Sequence, residues 1–447
     1  MSGSAFGSEE TRTFAKPPSK NQRKRCLITD PPSRNLFFRP NYSLLAGCAI
    51  ISKVPPMFEL RASDKSTKAR SGRLTTGHGV IETPAFMPVG TQGSVKAVSS
   101  RELRELNTQI VLGNTYHLFV RPGLDVIRHL GGLHRFMNWD GPILTDSGGY
   151  QIFSLAKLRK ITEEGVHFQN HVDGTPAFIS PEIAMEVQGA LGSDIAMALD
   201  ECPPWPCEYD YAARSAELTL RWAQRCKRAV EAGVSPAKLK NAAGTAATTA
   251  NPLLFGIVQG ATFPELRKRS AQALVEIGFD GYAIGGVSVG EPEEEMMCAV
   301  ESGAQFLPEN KPRYAMGLGT PPQLLELIAL GMDMFDCVLP TRLARNGTAF
   351  AGSGTLNLKN AEFAHDKNPI ERDCDCPACQ EYTRGYIRHL IKAEEILGLR
   401  LITLHNLHFY LELMRQARAA ITRGDFEAFR NDFVSRYKVR EPFNFSA

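Results

Sequence analysis

The feature that most constrains this chain is a series of short apolar segments that end abruptly at glycine or a polar residue. Segments with helical spacing lie between them. The apolar segments include residues 142–149, 193–202, 253–260, 281–288, 313–319 and 333–340, and the helical ones include 181–192, 211–233, 263–278 and 321–331. Buried strands that alternate with amphipathic helices form parallel βαβ units. The pattern therefore predicts an α/β fold with a parallel sheet.

The number of these units favours a closed barrel over an open sheet. Six or more βα units follow one another, and no GxGxxG motif follows an early strand. Polar residues stand where the strands end, which is where a barrel builds its active site. We predict a (β/α)8 TIM barrel, and a doubly wound, Rossmann-like sheet is the alternative.

The first 56 residues differ from the rest in charge and pattern. They carry nine Lys/Arg and three Asp/Glu, a balance of +6, and the net charge of +3 for the whole chain leaves the remainder near −3. Their proline pairs and lack of periodicity predict a disordered N-terminal extension rather than a signal peptide, with Met57 as a candidate natural start. Any nucleic-acid partner must therefore be held by a local basic patch.

Two further features bear on location and surface. No apolar run approaches the roughly 18 residues that a membrane-spanning helix needs, so we expect a soluble, cytoplasmic protein with no membrane partner. Residues 234–251 are rich in Ala and Thr and lack periodicity, which predicts a flexible surface insertion.

Three of the ten cysteines lie in one hexapeptide, CDCPAC. Cys374, Cys376 and Cys379 form a CxCxxC motif, and His389, His405 and His408 follow it. Three thiolates and one imidazole make a closed tetrahedral zinc site, which is structural because no position is left for water. His405 and His408 lie one helical turn apart, so only one of them is expected to face the metal, and the spacing leaves the choice of histidine open.

Three aspartates, Asp146, Asp200 and Asp336, each end an apolar segment. One such aspartate alone would be read as a helix N-cap. Three at the ends of separate barrel strands converge on one pocket. Paired carboxylates there suit chemistry at the anomeric carbon of a sugar, where one attacks C1′ and another handles the proton of the departing group.

Side chains around the aspartates could hold a planar base. Tyr150 offers a face for stacking, and the amide of Gln259 could read a purine edge. Gly285 and Gly286 would let backbone approach a ligand closely. Met316 could cover the other face of the ring, although a lone Met is more often core filling.

Two arginines follow the Asp336 segment directly. Arg342 and Arg345, in PTRLAR, are placed to hold phosphates, and a solvated loop is the alternative interpretation.

A series of motifs resembles the tRNA-guanine transglycosylases, in the order that this family shows. The motifs are DSGGYQ (146–151), ALDEC (198–202), FGIVQG (255–260), GYAIGGVSVGE (281–291), MGLGTP (316–321), MFDCVLPTRLAR (334–345) and CDCPAC (374–379). The resemblance runs from about Arg73 to the C-terminus. It implies a (β/α)8 barrel with a zinc-binding subdomain inserted near the C-terminal end.

The resemblance also implies a mechanism and the roles of its residues. Asp336 would attack C1′ of a guanosine in tRNA, and Asp146 would be the general acid/base, so that a covalent tRNA–enzyme ester forms between two displacements. His405 would complete the zinc site, and no redox or nucleotide cofactor would be needed. The residues expected to bind or brace the base are Asp200, Gln259, Gly285, Gly286, Tyr150, Met316, Ser147 and Asn114.

Two side chains bear on the substrate. Cys202 and Val289 resemble the bacterial type, which inserts preQ1 (7-aminomethyl-7-deazaguanine) at the wobble guanine of tRNAs with GUN anticodons, and Glu291 would lie near the aminomethyl group. A queuine-inserting enzyme and a catalytically silent tRNA-binding member are the alternatives. The archaeosine-type enzyme, which typically carries further RNA-binding domains, is not expected.

The bacterial enzymes act as homodimers, and the resemblance implies the same here. Tyr382, Tyr386 and His389 would form an aromatic interface cluster that Phe136 could join, with local packing as the alternative. The predicted domains are most of the barrel at 57–357, a zinc-binding subdomain at 358–410 and C-terminal helices completing the barrel at 411–447.

Overall fold

The computed structural model describes residues 57–155, 158–233 and 251–438. The predicted N-terminal extension, and all but the last residue of the predicted insertion, lie outside these ranges. Within them the strands are β1 (Phe58–Ser63), β2 (Arg70–Thr76), β3 (Gly79–Thr83), β4 (Ala85–Met87), β5 (Val111–Gly113), β6 (Ile143–Thr145), β7 (Arg159–Ile161), β8 (Val166–Gln169), β9 (Pro176–Ile179), β10 (Ile195–Met197), β11 (Leu253–Val258), β12 (Gly281–Ile284), β13 (Arg313–Ala315), β14 (Met334–Asp336), β15 (Thr348–Ala351) and β16 (Gly354–Asn357).

The helices connect and cover these strands. They are α1 (Ser100–Glu105), α2 (Thr115–Val120), α3 (Leu124–His129), α4 (Leu133–Met137), α5 (Gly149–Leu155), α6 (Pro181–Leu191), α7 (Tyr209–Glu231), α8 (Pro264–Ile277), α9 (Glu293–Ala304), α10 (Pro321–Ala329), α11 (Leu339–Arg345), α12 (Pro377–Glu381), α13 (Arg384–Lys392), α14 (Ile396–Arg423) and α15 (Phe426–Arg436), with a 3-10 turn at Ala361–Phe363.

Eight parallel strands form a closed barrel. Around the ring they follow one another in chain order, as β4, β5, β6, β10, β11, β12, β13 and β14. Strand β14 pairs with β4 through Asp336 and Met87. A parallel bridge between Val89 and Leu112 joins β4 to β5, where the Leu112 amide donates to the Pro88 carbonyl at 3.0 Å. The predicted (β/α)8 barrel is confirmed, and the doubly wound alternative is wrong because the two edge strands pair.

Local sequence signals explain where the barrel helices begin and end. Ser180 caps α6 by accepting a hydrogen bond from the amide of Ile183, and Pro181 occupies the first turn, where its missing N–H costs nothing. Gly192 ends the helix in a left-handed conformation with φ of +77°. The four helical segments predicted from periodicity correspond to α6, α7, α8 and α10.

A three-stranded antiparallel sheet, β1–β2–β3, closes the N-terminal end of the barrel. Phe58, Leu74 and Ile81 belong to the same buried cluster as residues inside the barrel. The Arg70 guanidinium, buried in this sheet, donates at 3.0 Å to the carboxylate of Asp333, which directly precedes β14. With this end filled by side chains, an active site is expected at the C-terminal ends of the strands.

Further elements lie outside the barrel strands. The antiparallel sheet β7–β8–β9 is inserted between α5 and α6. The hairpin β15–β16 shares a buried cluster with the cysteine-rich segment, and α14 runs without a break across the predicted boundary at 410/411. The predicted domain limits therefore remain a prediction. No helix among the described residues is long and apolar enough to cross a membrane.

Candidate active site

The polar residues predicted from sequence lie at the C-terminal ends of the barrel strands. Each stands at the end of its strand or within three residues beyond it: Asn114 after β5, Asp146 and Ser147 after β6, Asp200 after β10, Gln259 after β11, Gly285 and Gly286 after β12, Met316 after β13, and Asp336 as the last residue of β14. The barrel thus brings residues from seven different strands to one end of the molecule.

Asp146 is buried and held by three donors. Its Oδ1 accepts from the amide of Thr115 at 2.8 Å, and its Oδ2 accepts from the side-chain amides of Gln151, at 2.8 Å, and Asn114. Burial raises the pKa of Asp146 to about 6, against the effect of these hydrogen bonds, and the charge of Asp336 adds to the increase. A carboxyl group with a pKa near 6 can both take up and release a proton at neutral pH.

Asp336 faces the same end of the barrel and is partly exposed. Its Oδ1 accepts from the phenol of Tyr314 at 2.6 Å and from the amide of Gly317 at 2.7 Å. Burial of the carboxylate raises its pKa, and these two bonds oppose the increase. Both donors bind Oδ1, so Oδ2 is the oxygen that they leave free to attack.

Asp200 joins two other predicted residues in a buried chain of hydrogen bonds. The Ser147 hydroxyl donates to Oδ1 at 2.6 Å, and the Gln259 amide nitrogen donates to Oδ2 at 2.7 Å. Burial raises the pKa of Asp200. A Cβ at Gly149 would lie 2.5 Å from the Asp200 carbonyl oxygen, so only glycine fits beside this chain.

The two glycines after β12 lie directly against Gln259. A Cβ at Gly286, where φ is +59°, would lie 2.1 Å from Gln259 Oε1, and a Cβ at Gly285 would lie 3.5 Å from the sulfur of Met316. Gln259 Oε1 is buried and has no hydrogen-bond partner among the described residues. A buried acceptor without a partner costs free energy, so it favours a ligand that brings an N–H group.

Arg267, on α8, holds the backbone that follows β12. The guanidinium is fully buried and donates to the carbonyls of Gly285 at 2.6 Å, Gly286 at 2.9 Å and Ala261 at 2.7 Å. These hydrogen bonds fix the positions of Gly285 and Gly286. Arg267 was not among the site residues predicted from the sequence.

The loop after Gly286 is braced by Glu291, whose carboxylate accepts from the amides of Ser288 and, at 2.9 Å, Val289. The negative charge of Glu291 also helps to raise the pKa of Tyr150 and of Cys202. Burial keeps the Cys202 thiol neutral by raising its pKa.

Tyr150, on α5, lies at the surface of the site, and 46% of its surface is exposed. Burial of its hydroxyl raises the pKa of Tyr150, and the positive charge of Arg342 opposes that increase. Arg345 is exposed one turn further along α11 and donates to the Thr341 carbonyl at 3.0 Å. The two arginines form a local cationic surface at the open end of the barrel.

A buried metal-binding group lies outside the barrel, formed by Cys374, Cys376, Cys379 and His405. The sulfur atoms lie 3.6, 3.6 and 3.3 Å from Nδ1 of His405. A tetrahedral zinc site would separate sulfur from nitrogen by about 3.5 Å, so the donor set fits such an ion. His405 Nε2 meets the carbonyl of Phe350 at 2.6 Å, which orients the ring. His408 is not in this group and pairs with the carboxylate of Asp375 at 2.9 Å.

Two side chains that position the central carboxylates, Gln151 and Tyr314, were not among the predicted site residues, whereas Asn114 was. Gln151 stands within the DSGGYQ motif, and Tyr314 stands within the apolar segment at 313–319. The signal for Tyr314 was available, because a phenol that points into an apolar barrel needs a hydrogen-bond partner. The contacts of Thr115 and Gly317 are made by backbone amides, which leave no mark in the sequence.

Comparison with known proteins places the chain in a family. The family model for queuine tRNA-ribosyltransferase matches residues 64–439. A queuine tRNA-ribosyltransferase of Pelotomaculum thermopropionicum is 56% identical over 381 residues, which cover 85% of this chain and 98% of that protein. One of Staphylococcus aureus is 54% identical over 383 residues, which cover 85% of this chain and 97% of that protein. The chain belongs to the queuine tRNA-ribosyltransferase family.

Proposed function

We propose that this protein is a tRNA-guanine transglycosylase that exchanges the wobble guanine of GUN-anticodon tRNAs for preQ1, by double displacement through a covalent tRNA–Asp336 ester. The observation that carries the proposal is the pair of carboxylates at the C-terminal end of the barrel. Asp336 has one oxygen free of the donors that hold it, and Asp146 has a pKa of about 6.

In the first displacement, an Asp336 carboxylate oxygen attacks C1′ of the ribose. The bond from C1′ to N9 of guanine breaks, guanine leaves with the electron pair, and Asp146 supplies the proton that neutralises it. In the second displacement, Asp146 takes a proton from N9 of the incoming base, this nitrogen attacks C1′, and the carboxylate of Asp336 leaves. Two inversions at one carbon retain the β configuration.

The recognition of the base rests on the chain of hydrogen bonds beside these carboxylates. Asp200 and Gln259 would bind the edge of a guanine-like base, with the unpartnered Oε1 of Gln259 accepting from an N–H group. The amide of Gly286 would bind its carbonyl oxygen, held in place by Arg267. Tyr150 and Met316 would cover its two faces, while Ser147 and Asn114 keep Asp200 and Asp146 oriented.

The tRNA would bind across the open end of the barrel. Arg342 and Arg345 lie one turn apart on α11, directly after Asp336, so both can meet phosphates next to the reacting nucleotide. Because the chain carries a net charge of only +3, this local surface has to supply the attraction.

The preference for preQ1 rests on Cys202 and Val289. Val289 belongs to the loop that Glu291 braces, and Glu291 would pair with the aminomethyl group. The relatives above are named for queuine, which makes queuine insertion the second candidate. Rates of base exchange with preQ1 and with queuine distinguish these candidates. The wild-type protein should use preQ1. Val289→Gly should also use queuine, because the smaller residue enlarges the pocket. Faster use of queuine by the wild-type protein would favour the second candidate.

The metal at the cysteine-rich site would be zinc. Cys374, Cys376, Cys379 and His405 supply three sulfurs and one nitrogen in a buried, closed arrangement, so the ion has no open position and serves the fold.

A homodimer is the proposed assembly. Tyr382 and Tyr386 stack with ring centroids 5.6 Å apart, and Tyr386 is 42% exposed beside His389. Light scattering should give a dimer mass that Tyr386→Ala shifts toward the monomer. Tyr209→Ala, a change at an equally exposed tyrosine of α7, should leave the mass unchanged. A wild-type monomer would contradict this assembly.

Base exchange tests the activity directly. A GUN-anticodon tRNA with radiolabelled wobble guanine is incubated with the protein and preQ1, and the released label is counted. Release is expected from the wild-type protein and from Asp125→Asn, a change at a fully exposed carboxylate, but not from Asp336→Ala. If folded, zinc-loaded protein binds the tRNA but releases no label with preQ1 or queuine, the chain is a silent tRNA-binding member of the family.

A further inference from the structure

A second group of metal-ligand side chains lies at the N-terminal end of the barrel, at the opposite ends of the strands from Asp336. His78 stands in the turn between β2 and β3, His134 on α4, and Asp194 directly before β10. One donor atom from each residue lies within 4.8 Å of the others. The proposed reaction uses none of these three residues.

The carboxylate of Asp194 lies between the two imidazoles. His78 Nδ1 is 2.8 Å from Oδ1, and His134 Nε2 is 3.3 Å from Oδ2. The two rings stack with centroids 3.6 Å apart and planes inclined by 22°. One nitrogen of each ring therefore faces the same carboxylate.

Backbone amides hold this carboxylate in place independently of the rings. The amide of His78 donates to Oδ1 at 3.0 Å, and the amide of Ile143 donates to Oδ2 at 2.9 Å. The carboxylate is therefore oriented by backbone hydrogen bonds of the kind that support metal-bound carboxylates.

A fourth possible ligand and a route for an ion are also present. The carbonyl oxygen of Gly141 is 3.1 Å from His134 Nε2. The His78 and His134 side chains are 24% and 13% exposed, whereas the Asp194 side chain is 2% exposed. An ion can thus reach the imidazoles from solvent while the carboxylate stays buried.

We propose that His78, His134 and Asp194 form a second metal site, which binds a divalent transition metal of the zinc and cobalt class. Two imidazoles and one carboxylate suit such ions, and the absence of sulfur from the donor set separates this site from the cysteine-rich one. Gly141 or water completes the coordination. The bound ion would tie the β2–β3 turn and α4 to the barrel wall, so it would act on stability rather than on chemistry.

Cobalt binding tests this proposal without reference to enzymatic activity. Full-length protein with its cysteine-rich site loaded with zinc is dialysed against Co²⁺, and cobalt per chain is measured together with the absorption spectrum. One cobalt per chain is expected, with visible ligand-field bands and without the near-ultraviolet band that thiolate ligands give.

Variants locate the cobalt. His134→Gln and His78→Gln each keep an amide that can hydrogen-bond Asp194, and both should lose the cobalt and its stabilisation of the fold against heat. His129→Gln, a change at an exposed histidine of α3, should keep both. Wild-type protein that binds no cobalt would show that the cluster is a hydrogen-bonded clamp only. A thiolate band, or cobalt retained in both variants, would equally overturn the proposal.

Discussion

The phenol of Tyr314 donates a 2.6 Å hydrogen bond to Oδ1 of Asp336. The two side chains come from neighbouring strands, β13 and β14, and the phenol itself is buried. The contact fixes the rotation of the carboxylate, and with it the direction in which the free oxygen points.

Replacing Tyr314 with Phe removes this donor with little change in volume. A hydrogen bond to a charged group is worth about 1.5–3 kcal/mol, and the Tyr314 bond lowers the pKa of Asp336, so its loss should raise that pKa. We expect the rate of ester formation to reach half its maximum at a correspondingly higher pH, measured by rapid quenching across a pH series. An unchanged pH profile would show that Tyr314 does not act on Asp336.

The second displacement should depend on the ionisation of Asp146. Below a pH of about 6 the carboxyl is protonated and cannot take the proton of the incoming base, so the rate should rise with pH and then level off. Asp336 is esterified at this stage and has lost its charge, so the midpoint should lie at or slightly below 6.

Single-turnover reaction of preformed ester with preQ1 measures this step. Asp146→Asn should be slower by about 10²–10⁴-fold, the usual contribution of a general base, and should show no rise with pH. If the wild-type rate does not change between about pH 5 and pH 7, the range in which such a base should titrate, another group must take the proton.

Gly286→Ala should impair the binding of the base. The added Cβ would lie 2.1 Å from Gln259 Oε1 and would displace the amide that contacts Asp200. Overpacking of this kind costs about 1–3 kcal/mol, or roughly 10- to 100-fold in the affinity for preQ1 by calorimetry. Gly174→Ala is the matched control, since Gly174 also has a positive φ but a Cβ there would meet nothing within 4 Å. Equal affinities of the two variants for preQ1 would show that Gln259 does not bind the base.

The choice between the two histidines of α14 can be tested by metal content. His405→Ala should lower bound zinc from one per chain to near zero and lower the melting temperature, because the metal would lose one of its four protein ligands. His408→Ala should keep its zinc, since that ring pairs with Asp375. If His408→Ala loses the zinc and His405→Ala keeps it, His408 is the metal ligand.

Local patterns were sufficient to predict the barrel and the end of it that carries the site. Asp146, Asp200 and Asp336 each follow an apolar segment, and the carboxyl ends of parallel strands meet at one edge. Periodicity alone could not exclude an open sheet, because closure depends on the pairing of β4 with β5 at Val89 and Leu112.

Contacts between distant segments could not be predicted from spacing. Ser147 and Gln259 reach Asp200 across 53 and 59 residues of sequence. The sheet that closes the barrel was also missed, since a register shift between Leu60 and Ala62 in β1 breaks the alternation that marks a strand. The group formed by His78, His134 and Asp194 joins three segments in the same way.

Asp336 is the proposed nucleophile, and its ester with the tRNA can be trapped. Protein is mixed with end-labelled GUN-anticodon tRNA without free base, denatured, and separated on a gel. The wild-type protein should give a covalent tRNA–protein band that disappears when preQ1 is added before denaturation, and Asp336→Asn should give none while still binding the tRNA. A band that persists in Asp336→Asn, or a tRNA-linked peptide that contains Asp146 instead, would show that Asp336 is not the nucleophile.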